Sequence, residues 1–255
     1  MIYKRAYLQN YIRTCSGGDE RNVTNMAVLF PLGQEDRREQ CSMDERFTDL
    51  RSAKNGKARI KILKGHFAAK NSHVNTYIDM STVKTRHNNA RETAKTLAAE
   101  YLMNTPVDTI VCLKNTEVIG TFMAAELADG NRMSMSYGNN ISVVTPEFDP
   151  AGQILFRENN QRMIEGKQVL ILSDSMSTGS LARQAISSVV YYGGRVCGIC
   201  SIFSSISKIA GMEVKTIFTS ADIPEYKAYG TQECELCKEG KKLDGLINSF
   251  GYVRL

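Results

Sequence analysis

The segment Val169-Leu-Ile-Leu-Ser-Asp-Ser-Met-Ser-Thr-Gly-Ser180 constrains this chain more than any other. Four consecutive apolar residues suit a strand buried on both faces. Asp174 follows just past its expected end, then a small hydroxyl-rich turn from Ser175 to Ser180. A helical pattern then runs from Ser180 to Tyr192 and closes at Gly193-Gly194, where glycine readily takes the positive φ of a helix end. The free N–H groups of that helix's first turn favour an anion. Gly179 lets the backbone approach the anion closely, and Ser177, Thr178 and Ser180 can donate hydroxyl hydrogen bonds to it. The turn can therefore cradle a monophosphate, while Asp174 can accept hydrogen bonds from ribose hydroxyls or orient a magnesium-bound water.

The rest of the chain extends this unit into an alternation of strands and helices. Thr76–Met80 reads as a short strand. Asn88–Met103 reads as a helix, with Ala90, Ala94, Leu97, Ala98 and Leu102 on one stripe and Asn88 or Asn89 as its cap. Asp108–Leu113 suits a buried strand, and Thr116–Leu127 a helix that buries Val118, Ile119, Phe122, Met123 and Leu127. Ile141–Thr145, Arg195–Phe203 and Lys215–Thr219 are further strands. Pro146–Asn160 carries two prolines and a glycine, and reads as a long loop or mobile hairpin. The alternation predicts an α/β fold with a mostly parallel sheet flanked by helices, and a ligand at the carboxyl ends of the strands. Residues 1–64 form an N-terminal extension or cap, charge-rich from Arg37 to Arg59, with short helices and loops expected. The core is expected over residues 65–255.

A 255-residue chain with 42% hydrophobic and 23% charged residues can bury a real core. The net charge of +5 is compatible with phosphates, acidic small molecules or nucleic acid, and selects none of them. No apolar run approaches the ~20 residues of a membrane helix, and the start lacks a secretory pattern, so a cytoplasmic location is expected. The seven cysteines then read as reduced thiols. Cys234 and Cys237 form a C-x-x-C, half of a zinc site, and the pair reads as a turn feature. Cys197 and Cys200 would point to opposite faces of a strand. His66, His73 and His87 show no metal-ligand spacing, and no direct metal ligand is assigned.

With these motifs in place, the chain resembles the type I phosphoribosyltransferases, and among them the orotate phosphoribosyltransferases. The signature of that family is four apolar residues, two acids, two variable residues, two hydroxyl residues, glycine and a small residue, and Val169–Ser180 matches it at all positions but one. The resemblance implies that Ser175, Ser177, Thr178, Gly179 and Ser180 hold the 5′-phosphate of phosphoribosyl diphosphate (PRPP), and that Asp174, the catalytic residue, contacts the ribose hydroxyls. It implies a diphosphate loop at Lys114, Asn115, Thr116 and Glu117 after the strand DTIVCL. Gly65-His-Phe, Ser72-His73 and Tyr77-Ile-Asp79, followed by Lys84 and Arg86, are similar to the base-binding segment, with Phe67 stacking on the base and Lys84 or Arg86 offsetting its charge. The partners implied are PRPP with Mg²⁺, a nucleobase with orotate first, and a second subunit of a homodimer. The N-terminal extension would act as the hood of the fold, and a mobile loop would span about 145–166.

Two departures stand out. Ser173 occupies the place of the family's first acid. Between Ser142 and Gly166 the only basic residues are Arg157 and Arg162, with no histidine, where the family's loop carries several lysines and a histidine. Both favour tight PRPP binding with slow orotate turnover, and Ser173→Asp would then raise turnover. They also keep open a second class: a PRPP sensor of the same fold, like the purine repressors, with nucleic acid as partner. Met1–Lys64 shows no helix-turn-helix pattern to support that class.

Overall fold

A computed structural model describes residues 47–255, except 70, 71, 131 and 249. Expectations for residues 1–46 lie outside the described residues. In chain order the strands and helices begin with Thr48–Arg51 (β1), Arg59–Ala69 (β2), Ser72–Asp79 (β3), Ser81–Thr85 (α1), His87–Ala98 (α2), Thr109–Cys112 (β4) and Glu117–Ala128 (α3). Next come Ser142–Val144 (β5), Glu147–Phe148 (β6), Ile154–Leu155 (β7), Glu158–Gln161 (α4), Gln168–Met176 (β8), Ser180–Tyr191 (α5) and Arg195–Ser204 (β9). The chain closes with Lys208–Ile209 (β10), Met212–Thr219 (β11), Ala228–Gly230 (β12), Glu235–Lys238 (α6), Gly245–Asn248 (β13) and Gly251–Arg254 (β14).

The core sheet runs β10-β11-β9-β8-β4-β5, with every pair parallel except β10 with β11. Counted along the chain, its five parallel strands lie in the order 2-1-3-4-5. The order reverses between β4 and β8, and in doubly wound sheets the ligand crevice opens at the carboxyl ends flanking that reversal. Val169 to Leu172 are buried at the centre of this sheet, as the apolar run predicts.

A second sheet, β12-β3-β2-β13-β14 with β1 on β2, forms the hood. Here the sequence reading needs correction. Short helices were expected up to Lys64, yet β1 and β2 are strands. In Arg59-Ile-Lys-Ile the isoleucines are buried and the cations alternate outward, a period of two that the surrounding charge obscured. β2 also runs straight through the expected boundary at Lys64–Gly65.

Other elements differ in extent. α2 starts at His87, with Arg86 as a cap residue that makes no side-chain capping bond, so neither Asn88 nor Asn89 caps it. It ends at Ala98 rather than Met103, because Tyr101 turns inward to donate its hydroxyl to the carbonyl of Ile199, 2.9 Å away. Gly198 makes room for that ring: a Cβ there would lie 2.5 Å from Tyr101 Cε1. On α3, Val118 is 43% exposed while Ile119, Met123 and Leu127 are buried, so the buried stripe is narrower than expected. Pro146–Asn160 contains the hairpin β6–β7 and the start of α4, and Arg157 donates two hydrogen bonds to Glu147 across the hairpin. No described helix is long and apolar enough to cross a membrane.

Candidate active site

β8 continues past its apolar run to Met176, because it stays paired with β9 as far as Ser204. Asp174 and Ser175 are therefore strand residues, and the anion turn shortens to Ser177–Gly179. On the other side of the sheet reversal, β4 gives way to Lys114 and Asn115, two consecutive non-glycine residues at φ 55° and 59°. Such positions cost about 1–3 kcal/mol each and persist only where the surroundings enforce them. Here the Leu113 N–H donates to the carbonyl of Leu172 at 2.8 Å, and the Thr116 hydroxyl donates to that of Leu113 at 2.9 Å.

This turn sends Lys114 across to β8. Its Nζ donates to the Ser175 carbonyl at 2.9 Å and to Ser175 Oγ at 3.1 Å, and lies 3.5 Å from Asp174 Oδ1. Lys84, at the end of α1, reaches Asp174 Oδ2 at 3.1 Å. The side chains of Lys84 and Asp174 are only 10% and 7% exposed. Two ammonium groups thus meet one carboxylate, with Lys84 and Asp174 largely desolvated and Lys114 32% exposed. Tyr77 packs nearby. Burial, helped by the charges of Asp79, Tyr252 and Asp174, pushes its phenol up, so it stays a neutral donor. These groups share a cleft of about 340 Å³ under the hood, also lined by Ser177, Tyr226 and Phe250.

The anion turn has the conformation that the sequence requires. Gly179 sits at φ 71°, and a Cβ there would lie 2.6 Å from Ile206 Cδ1. The cap residue Gly179 has no side chain to cap α5, and the Ser180 N–H donates at 3.4 Å to Thr178 Oγ1, a long bond that an anion can replace. Gly179→Ala is expected to destabilise the protein by about 1–3 kcal/mol, since alanine meets both a forbidden φ and a clash. Urea unfolding checks this, and an unchanged midpoint would mean that the turn tolerates a side chain.

The expected site residues divide. Lys84, Lys114, Asp174, Ser175 and Ser177 line one cleft. Thr178 and Ser180 border the adjoining groove with Arg183. Sequence reasoning missed Arg183, whose guanidinium donates to the Thr178 carbonyl at 3.1 Å. Its place one turn into a helix that follows an anion turn was the available signal. Asn115 is exposed at the turn and Glu117 accepts from the Thr145 hydroxyl, whereas Thr116 is buried and can offer a ligand only backbone. Ser173 is 2% exposed, with its hydroxyl 3.4 Å from the Ser175 carbonyl. Two base-site expectations fail. Phe67 is 1% exposed, packed against Tyr77 and Tyr252, and does not line the cleft. Arg86 is exposed at the junction of α1 and α2, away from it.

A sheet of this order, with a glycine turn before a helix and a lysine-held carboxylate at its reversal, defines a doubly wound α/β protein with a candidate anion-binding cleft. No protein-family model matches the chain. It is 30% identical over 130 residues to the orotate phosphoribosyltransferase of Caldanaerobacter subterraneus subsp. tengcongensis, covering 46% of this chain and 67% of that one. It is 27% identical over 139 residues to the enzyme of the same name from Caldicellulosiruptor bescii, covering 49% and 70%. Among solved structures, orotate phosphoribosyltransferase of Mycobacterium tuberculosis H37Rv aligns over 74% of this chain and 99% of its own, at 16% identity and a TM-score of 0.44. UMP synthase of Leishmania donovani aligns over 63% and 34%, at 18% identity and a TM-score of 0.46. The chain belongs to the type I phosphoribosyltransferase family and is orotate phosphoribosyltransferase-like.

Proposed function

We propose that the protein binds PRPP and transfers its phosphoribosyl group to a ring nitrogen of a pyrimidine-like base, orotate the first candidate, releasing diphosphate. The observation that carries this reading is Asp174 held by Lys84 and Lys114 at the sheet reversal, beside an uncapped helix. The 5′-phosphate would lie on Ser177–Ser180 and the first turn of α5. The diphosphate would lie against Lys114 and the turn from Asn115 to Glu117. On binding, the ribose hydroxyls would take over oxygens of Asp174 and release part of the lysine charge toward the diphosphate and the anionic base. As the bond at the anomeric carbon breaks, Asp174 would offset the positive charge that builds on the ribose. Phe250, 82% exposed on the cleft wall, offers the ring face that Phe67 cannot.

Mg²⁺ would enter with the diphosphate and shield its charge. The oxygens of Asp174 already face two ammonium groups and the Ser175 N–H. That donor set suits an ion carried by the substrate through water rather than one caged by the chain. A homodimer and a cytoplasmic location complete the proposal. Light scattering that shows a monomer at micromolar concentration with PRPP present would contradict the dimer.

Thr178→Val is expected to weaken Mg-PRPP binding by about 1–3 kcal/mol, the range for a charge-assisted hydrogen bond. Calorimetry measures it, and an unchanged affinity removes Thr178 from the phosphate site. The decisive assay is diphosphate release from PRPP with a panel of bases. One observation favours a second reading, a catalytically weak PRPP sensor: Arg157, one of only two cations in the loop region, is already tied to Glu147. PRPP binding without diphosphate release from any base would support that reading. Gel shifts at several salt concentrations would then test for nucleic acid.

A further inference from the structure

The hood holds a cluster that the phosphoribosyl reading does not use. It brings together His66 on β2, His73 on β3, and Cys234 and Cys237 around α6, residues that the sequence reading kept apart. Their four ligand atoms all lie within 4.8 Å of one another. His66 Nε2 lies 3.1 Å from His73 Nδ1, 3.4 Å from Cys234 Sγ and 3.6 Å from Cys237 Sγ, and Cys237 Sγ lies 3.2 Å from His73 Nδ1. A tetrahedron with Zn–N of ~2.0–2.1 Å and Zn–S of ~2.3 Å has edges of roughly 3.3–3.8 Å. The cluster is close to that size.

Hydrogen bonding alone does not account for it. His66 Nδ1 lies 2.9 Å from the carbonyl of Lys241, which can only accept, so Nδ1 carries the proton. In the neutral ring Nε2 is then a single lone pair, and it faces three neighbours at once. One lone pair can accept one hydrogen bond, whereas a cation at the centre engages all four groups. The Lys241 carbonyl is the outer partner that commonly orients a metal-bound imidazole. The backbone is shaped for the same end. β2 and β3 lose register between Lys64 and Phe67, a bulge that re-aims His66, and Asp244 pins it by accepting from the His66 N–H at 2.7 Å.

We propose that His66, His73, Cys234 and Cys237 bind one structural Zn²⁺. Two thiolates and two imidazoles form a closed tetrahedral set for a borderline-soft ion, with no position left for substrate. A two-iron cluster with cysteines on one iron and histidines on the other would separate the two ligand pairs more than this cluster does. The ion clips the polar run Thr231–Lys242 onto the β2–β3 hairpin. It thereby steadies the following β13–β14 hairpin, whose Ile247, Asn248 and Phe250 line the cleft. Nothing in the proposal depends on what the cleft binds.

The test is the metal content of the full chain, purified reduced, without chelator or polyhistidine tag. Plasma mass spectrometry is expected to find about one zinc per chain, released when a thiol reagent blocks two cysteines. Cobalt substitution is expected to give the visible bands of a tetrahedral ion with thiolate charge transfer. Cys237→Ser and His73→Ala, both at less buried positions, are expected to lose zinc and melt several degrees lower, while His87→Ala keeps both. Zinc-free protein with freely reactive thiols, a Cys234–Cys237 disulfide in place of metal, or full zinc in the combined Cys237→Ser, His73→Ala variant would each overturn the proposal. The wild-type measurements decide the matter even if the variants do not fold.

Discussion

Asp174→Asn is expected to lower phosphoribosyl transfer by about 10²–10³-fold, the loss of roughly 2.7–4 kcal/mol seen when one group aimed at developing charge is removed. The carboxylate sits at the sheet reversal, where the anomeric carbon would lie, and asparagine keeps its shape but not its charge. The same change takes the carboxylate partner from two lysines, of which Lys114 keeps its hydrogen bonds to Ser175. Breaking a buried pair costs about 3–5 kcal/mol, and Lys84 is only 10% exposed, so stability should fall by about 3 kcal/mol as well. Lys84→Met leaves Asp174 with Lys114 and should cost less. The double variant should recover part of the sum, because it no longer buries an ammonium group that has lost its carboxylate. Steady-state diphosphate release and urea unfolding separate the two effects. Turnover by Asp174→Asn within about threefold of the parent would remove Asp174 from the chemistry.

Turnover of orotate by the unaltered protein is expected to fall about a hundredfold to a thousandfold below the ~10 s⁻¹ typical of enzymes. Two cations serve the loop region, and Arg157 is bound to Glu147, which leaves little positive charge to cover a departing diphosphate. Ala151→Lys, at the exposed tip of the β6–β7 hairpin, is then expected to raise kcat up to about tenfold, the equivalent of ~1.4 kcal/mol. A parent rate near that of ordinary enzymes would end the sensor reading, and no gain from the lysine would acquit the loop. Ser173→Asp is a poorer probe than the sequence alone suggested. The position is 2% exposed, so a new carboxylate there is expected to cost folding stability before it can aid catalysis.

What was legible in the sequence was local. An apolar run flanked by an acid, hydroxyls and glycine can be read as strand, anion turn and helix, because each signal acts within one turn of chain. The core strands and the helix after Gly179 therefore appear where the pattern places them, and so does the family resemblance. The hood was less legible. In β2 the alternation of isoleucine with cations is short, and it carries information only once β3 pairs with it. Phe67 illustrates the limit: an aromatic next to a base-site motif suits stacking and core packing equally, and only the partners Tyr77 and Tyr252 decide for the core. Lys84 was read as a partner for the base and is a partner for Asp174, ninety residues away. The four residues proposed to bind zinc lie as much as 171 residues apart along the chain, between His66 and Cys237. Long-range pairing of that kind is set by how two sheets and a bulge bring strands together, and no spacing along the chain encodes it.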